Sequence, residues 1–172
     1  MKIARFPAVA PPWLSYGLLY FLSAYFGFFL ATIEGIVSPA WFAAGFALAG
    51  VLLHGYRVLP GIWIGSSAAA ILSGVAPLAA AVMALGVILE AFAAAFLLRR
   101  VAPADKLLLR SEHLALLLLI GFLLTPTASA VIGSLTLTVS GLIPPESLPE
   151  SVLTWWVGDA TGSILIAPLV LA

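Results

Sequence analysis

The run Trp155-Trp156-Val157-Gly158-Asp159-Ala160-Thr161-Gly162 sets a carboxylate inside a segment that otherwise reads as lipid-buried helix. An Asp within a membrane-spanning segment costs roughly 2.5–3.5 kcal/mol on insertion scales, and such residues usually face a bundle interior. The remaining segments must therefore shield it. The composition agrees, with 63% hydrophobic and 8% charged residues, far from an ordinary soluble domain. The expected fold class is all-α: a polytopic membrane helical bundle of about six transmembrane helices, forming one domain over residues 1–172. Seven Lys and Arg balance seven Asp and Glu, so the partner is the lipid bilayer and no basic surface offers itself to nucleic acid. Cysteine is absent, which removes disulfides and thiolate chemistry together.

Hydropathy places the spans at approximately 13–31, 38–53, 58–74, 76–98, 113–141 and 153–172. The first opens at Trp13, long enough to span and without a small-residue cleavage site behind it, so it is not a signal peptide. Ser38-Pro39 reads as the cap and first turn of the second. The third is short, about 22 Å at 1.5 Å per residue, and is assigned as a short crossing rather than a re-entrant half-helix. A half-helix would send Arg99 and Arg100 to the side opposite Lys2, Arg5 and Arg57, against the positive-inside rule. Pro126, between Thr125 and Thr127, predicts a kink or unwinding in the fifth span, with threonine hydroxyls taking up freed backbone groups. Six crossings put all seven basic residues on one side and Glu34, Glu146 and Glu150 on the other. The expected location is a cell membrane, multi-pass, with both termini cytoplasmic.

Five ordered blocks carry a family resemblance. They are Trp41 to Ala49, Leu53-His54-Gly55-Tyr56-Arg57 on to Gly65, Leu89-Glu90-Ala91 leading to Arg99-Arg100, Ala128 to Leu137, and Trp155 to Gly162 with Pro168. Together they resemble the bacterial membrane-associated sensor domains of the first MASE class, from the second span onward. Phe42 stands where that family usually has Pro. The resemblance implies a membrane input module for a cytoplasmic histidine kinase or a domain of cyclic-di-GMP turnover, as in two-component and cyclic-di-GMP signalling. Such outputs work as dimers, so a homodimer is implied. Members usually have about eight spans and a downstream output, whereas this chain stops at Ala172. The expectation is a truncated module or one that acts through a separate partner.

The candidate ligand-binding or switch residues are Asp159, Trp155, Trp156, Trp41, Glu90 and Arg57. Asp159, about 9 Å below the outer end of a helix starting at 153, reads as a ligand- or proton-binding carboxylate. Its cavity would open to the periplasm, with Trp155 and Trp156 as the apolar wall. The plainer alternative is a structural carboxylate bonded to Thr136 or Thr138, with the tryptophans as an interface belt. Glu90 is expected in the inner half, about two helical turns from the level of Asp159, and so to pair with Arg57 or His54. That pair would be either a lock on helix register or a switch. Gly45, Gly61, Gly65 and Gly162 are read as close-packing positions and Pro126 as a hinge. His54 and His113 read as ordinary boundary residues rather than haem or metal ligands, and no cofactor or metal is expected. No phosphate-binding loop, Ser/His/Asp set or HExxH helix is present, so no enzyme is indicated. The function expected is a sensory module that binds a small-molecule signal in its bundle and alters a cytoplasmic signalling domain. The rival resembles the six-span substrate-binding subunit of a small-solute transporter, which broken spans and midplane polar residues would also suit.

Overall fold

The computed structural model describes residues 10–31, 33, 36–101, 110–120 and 125–172. Lys2, Arg5, Glu34, Asp105 and Lys106 lie outside them. The described residues form helices α1 (Pro12–Phe28), α2 (Phe42–His54), α3 (Leu59–Leu72), α4 (Pro77–Val101), α5 (Ser111–Leu119), α6 (Pro126–Val139) and α7 (Leu148–Leu171). Among them there is no strand beyond an isolated bridge between Ile33 and Val37. Proline stands in the first turn of α1, α3, α4, α6 and α7, where the missing amide proton has no helical partner to lose. The segment Pro145–Leu171 and α4 are long and apolar enough to cross a bilayer, while α2 and α6 are shorter apolar helices.

Packing closes the helices into a ring in the order α1, α2, α7, α6, α4, α3, with α2 and α4 also meeting across it. Two pairs within the ring run parallel, and glycines set their spacing. A Cβ at Gly61 would strike the Trp13 carbonyl and one at Gly65 the Gly17 carbonyl, so α1 and α3 touch backbone to backbone. The same holds for α2 on α7, where Gly45 meets the Gly162 carbonyl and Gly162 meets the Trp41 carbonyl. Small residues permit such an approach when lipid supplies no hydrophobic drive between helices. Apolar clusters fill both ends of the bundle. Tyr16, Leu52, Ile62 and Leu98 belong to one, and Val37, Val75, Met83 and Leu137 to the other.

Three boundaries differ from the hydropathy reading. The second helix begins at Phe42 rather than Ser38. The Ser38 hydroxyl instead closes a local turn on Ala40, and the Trp41 amide donates to the Gly158 carbonyl at 3.1 Å. Close approach of the chain to α7 thus decides where α2 starts. Of the fifth segment α5 and α6 are described, with residues 121–124 outside the described residues, and across them the Thr125 amide and hydroxyl both donate to the Ile120 carbonyl at 3.2 Å. The last helix starts at Leu148, well ahead of 153, because a 3₁₀ turn at Pro145–Ser147 leads straight into it.

At the end of the bundle where α2 stops and α3 starts, Arg99 reaches from α4 to the terminus of α2. Its Nη2 donates to the carbonyls of Val51 at 2.6 Å and Leu52 at 3.1 Å, and its guanidinium lies 5.4 Å from the Tyr56 ring centre. The last carbonyls of a helix lack intrahelical donors, so a cation on a neighbouring helix closes that account and ties α2 to α4. Arg57, Arg100 and Arg110 lie toward the same end, at the α2–α3 turn, the close of α4 and the start of α5. Glu146 and Glu150 lie at the other.

Two measurements check this packing. Gly162→Val should destabilise the detergent-solubilised chain by about 1–3 kcal/mol through overpacking, while Leu165→Val on the exposed side of the same helix stays within about 0.5 kcal/mol. Arg99→Met should cost about 1.5–3 kcal/mol by stripping charged hydrogen bonds from α2, with the exposed Arg57→Met near neutral. Equal melting curves for either pair would contradict the contacts described.

Candidate functional site

One face of α7 carries Ser151, Trp155, Asp159 and Ser163 at helical spacing, and Ser151, Asp159 and Ser163 on it are buried. Of the buried polar side chains described, this stripe supplies three, and Ser38, Glu90, Thr125, Ser129 and Ser134 come from other segments. Measured from Leu148, Asp159 lies about 17 Å along its helix, and Glu90 lies about 20 Å from the start of α4 at the same end of the bundle. The two carboxyls are therefore level. Glu90 is 6% exposed and Asp159 1%, and the two side chains interact directly, with Ser129 of α6 beside both and the Trp155 indole beside Asp159.

This arrangement replaces the expected Glu90–Arg57 pair. Arg57 and His54 are exposed at the α2–α3 end, and nothing places either on Glu90. The error was one of depth. Starting α7 at 153 raised Asp159 toward the outer end and opened a gap to Glu90 that the helix does not have. Thr136 and Thr138 are also not the partners of Asp159. Each hydroxyl donates to a carbonyl of its own helix, Ile132 at 2.7 Å and Ser134 at 2.9 Å, while Ser134 and Ser151 bridge α6 to α7 at 2.8 Å. Asp159 Oδ2 and Ser129 Oγ are buried without a hydrogen bond, which in a low-dielectric interior is costly.

The cavity expected around Asp159 divides in two. An outer chamber with about 30 Å³ of open space is lined by Tyr20, Phe28, Trp41, Met83 and Trp155 together with Ser38 and Ser66, and by no charged residue among those described. An inner chamber with about 10 Å³ of open space is lined by Glu90, Asp159, Thr125 and Ser163 among apolar side chains. Val87 borders both. Trp155 and Trp41 thus wall one space and Asp159 another, while Trp156, half-buried, lines neither.

Glycines position the two indoles of the outer chamber. A Cβ at Gly27 would meet the Trp41 ring, and one at Gly133 the Trp155 ring, so each indole lies flat on a helix that yields space for it. The Trp41 Nε1 donates to the Tyr20 hydroxyl at 3.1 Å, and the Phe28 ring meets its edge at a centroid distance of 5.1 Å. A buried indole N–H needs such an acceptor. Tyr20, Phe28, Met83, Ser129 and Arg99 were not identified from the sequence as site or clamp residues. Ser129 lies in the Ala128–Leu137 block, where three small residues begin the α6 face that meets Gly86. That clustering was the signal available.

The match to a family model, MASE1, extends over residues 13–172 and so takes in every helix described. Comparison with curated proteins and with solved structures returns no match. Blocks that carry the resemblance in sequence contribute Trp41, Ala44, Glu90, Ala91, Trp155 and Asp159 to the walls of the two chambers. The chain belongs to the MASE1 family of membrane-associated sensor domains.

Proposed function

We propose that this chain is a six-crossing input module that binds a small signal in its outer chamber and sets the activity of a cytoplasmic output. The observation that carries this reading is the outer chamber itself. It is framed by aromatic side chains and Met83, holds three hydroxyl-bearing residues and no charge, and suits a small, uncharged, largely apolar molecule with one hydrogen-bonding group. Its wall residue Trp155 also contacts Asp159, so occupancy on one side of Val87 is felt by the carboxyl pair on the other.

Transmission follows from differential packing. A ligand shifts an equilibrium only by the difference in its affinity for the two states, and a move from 1:99 to 99:1 needs about 5.5 kcal/mol. We place the hinge at Pro126, where the Thr125 amide and hydroxyl both bond the Ile120 carbonyl five residues back, so that α6 can change its tilt against α7. The α7 terminus and Arg99-clamped α2 then carry the change to the arginine-bearing end. We assign that end to the cytoplasm by the excess of basic residues, with the output a histidine kinase or a cyclic-di-GMP enzyme in a dimer, in the inner membrane of a bacterium.

Two experiments test this reading. The chain has no cysteine, so single substitutions report topology directly. Glu146→Cys and Glu150→Cys should react with an impermeant maleimide in intact cells, and Arg57→Cys and Arg110→Cys only after permeabilisation; the reverse pattern would sink the six-crossing orientation. Fusion to a diguanylate cyclase tests the output. Met83→Trp, which fills the outer chamber, should change cyclase activity several-fold, while Leu165→Trp on the lipid-facing side leaves it unchanged. A chamber variant that inserts normally but leaves the cyclase unaltered, in a chain that instead supports solute uptake, would favour a transport subunit.

A further inference from the structure

We propose that the inner chamber is a binding site for one small monovalent cation, Na⁺ or the proton that shares its charge, held between Glu90 and Asp159. The inference stands apart from what fills the outer chamber.

Charge balance is the first ground. Two carboxyls face one another in the buried interior, and among the described residues no basic side chain lines the chamber. On the helix that carries Glu90, the Arg99 guanidinium is engaged with the α2 carbonyls. Thr125 stands on the chamber wall and the Ser129 hydroxyl beside both acids, and neither brings a charge. Buried charges without a partner are not tolerated, so a positive charge is required.

Leftover ligands are the second ground. Asp159 Oδ2 and the fully buried Ser129 Oγ have no hydrogen bond, which is where donors to a cation are expected to stand idle. An ionised carboxylate only accepts, so contact between the two acids itself calls for a proton or an ion between them. The chamber's polar space is small, with Thr125, Ser163 and the two acids supplying its oxygen atoms. The groups facing the pair are the Tyr20 phenol of α1, the Ser129 hydroxyl of α6 and the Trp155 indole of α7. From α2 come only Ala44, Ala47 and Leu48.

The test uses the full chain in nanodiscs, with NaCl exchanged for choline chloride at constant ionic strength, read by the infrared stretch of a protonated carboxyl and by tryptophan fluorescence. In Na⁺-free medium the wild type should show a protonated-carboxyl band that Asp159→Asn and Glu90→Gln both alter. If Na⁺ is an occupant, it removes the band in a saturable way, with half-saturation rising about tenfold per unit drop in pH as one ion exchanges for one proton. A band indifferent to Na⁺ but titrated by base, and lost in Glu90→Gln, identifies the proton as the occupant. Ser129→Ala should weaken either response several-fold without removing a carboxyl, and serves if the acid variants do not fold. Absence of any protonated-carboxyl band together with no Na⁺ response, or responses identical in wild type and all variants, overturns the proposal.

Discussion

The meeting of Glu90 with Asp159 is the constraint on which the rest of the bundle depends. Two acids from α4 and α7 can share a level inside a low-dielectric interior only if every neighbouring helix withholds water and lipid from them. The ring of helices does this, with alanines and glycines on the inner surfaces of α2 and α4 permitting the walls to close. Each polar group left without a partner in that interior costs on the order of 1–3 kcal/mol. The glycine contacts that bring α2 against α7 are what bring the site together, and the stabilisation they give offsets what the site costs.

The fold class could be read from composition and hydropathy because lipid leaves a chain few options. Spans of about 20 apolar residues and the helix-breaking Pro126 are visible at the level of single residues. Asp159 announced itself for the same reason: one carboxylate in an apolar run is expensive enough to demand an explanation. What could not be read was which residue answers it. Partner assignment depends on depth, and a five-residue displacement of one helix start moves a side chain by about 7 Å, more than enough to exchange Glu90 for an empty level. The start at Leu148 was hidden because Pro144-Pro145-Glu146 looks like a loop, whereas Pro149 is at home in the first turn of a helix.

The outer chamber was half legible for a different reason. Trp41 and Trp155 attract notice as large residues near a boundary, but Tyr20, Phe28 and Met83 belong to α1 and α4, and only the closed ring brings those helices to them. Glycine patterns such as Gly61 and Gly65 predict that something approaches closely without saying what. That α1 rather than a sequence neighbour lies there follows from the ring order, which no local pattern encodes. Arg99 was invisible for a related reason: an arginine near a helix end is normally read for topology, not as a clamp on another helix.

Parallel pairing of α2 with α7 has an electrical side. In antiparallel neighbours the peptide dipoles largely cancel, but two helices that run the same way add theirs, and each contributes roughly half a negative charge at its carboxyl end. The arginine-bearing face of the bundle therefore sets the carbonyl-rich end of α2 beside α7, and Arg99 reaches it from α4. Any movement that parts α7 from α2 redistributes that partial charge across the membrane surface, so a rearrangement too small to expose new side chains would still alter the local potential met by whatever lies beneath.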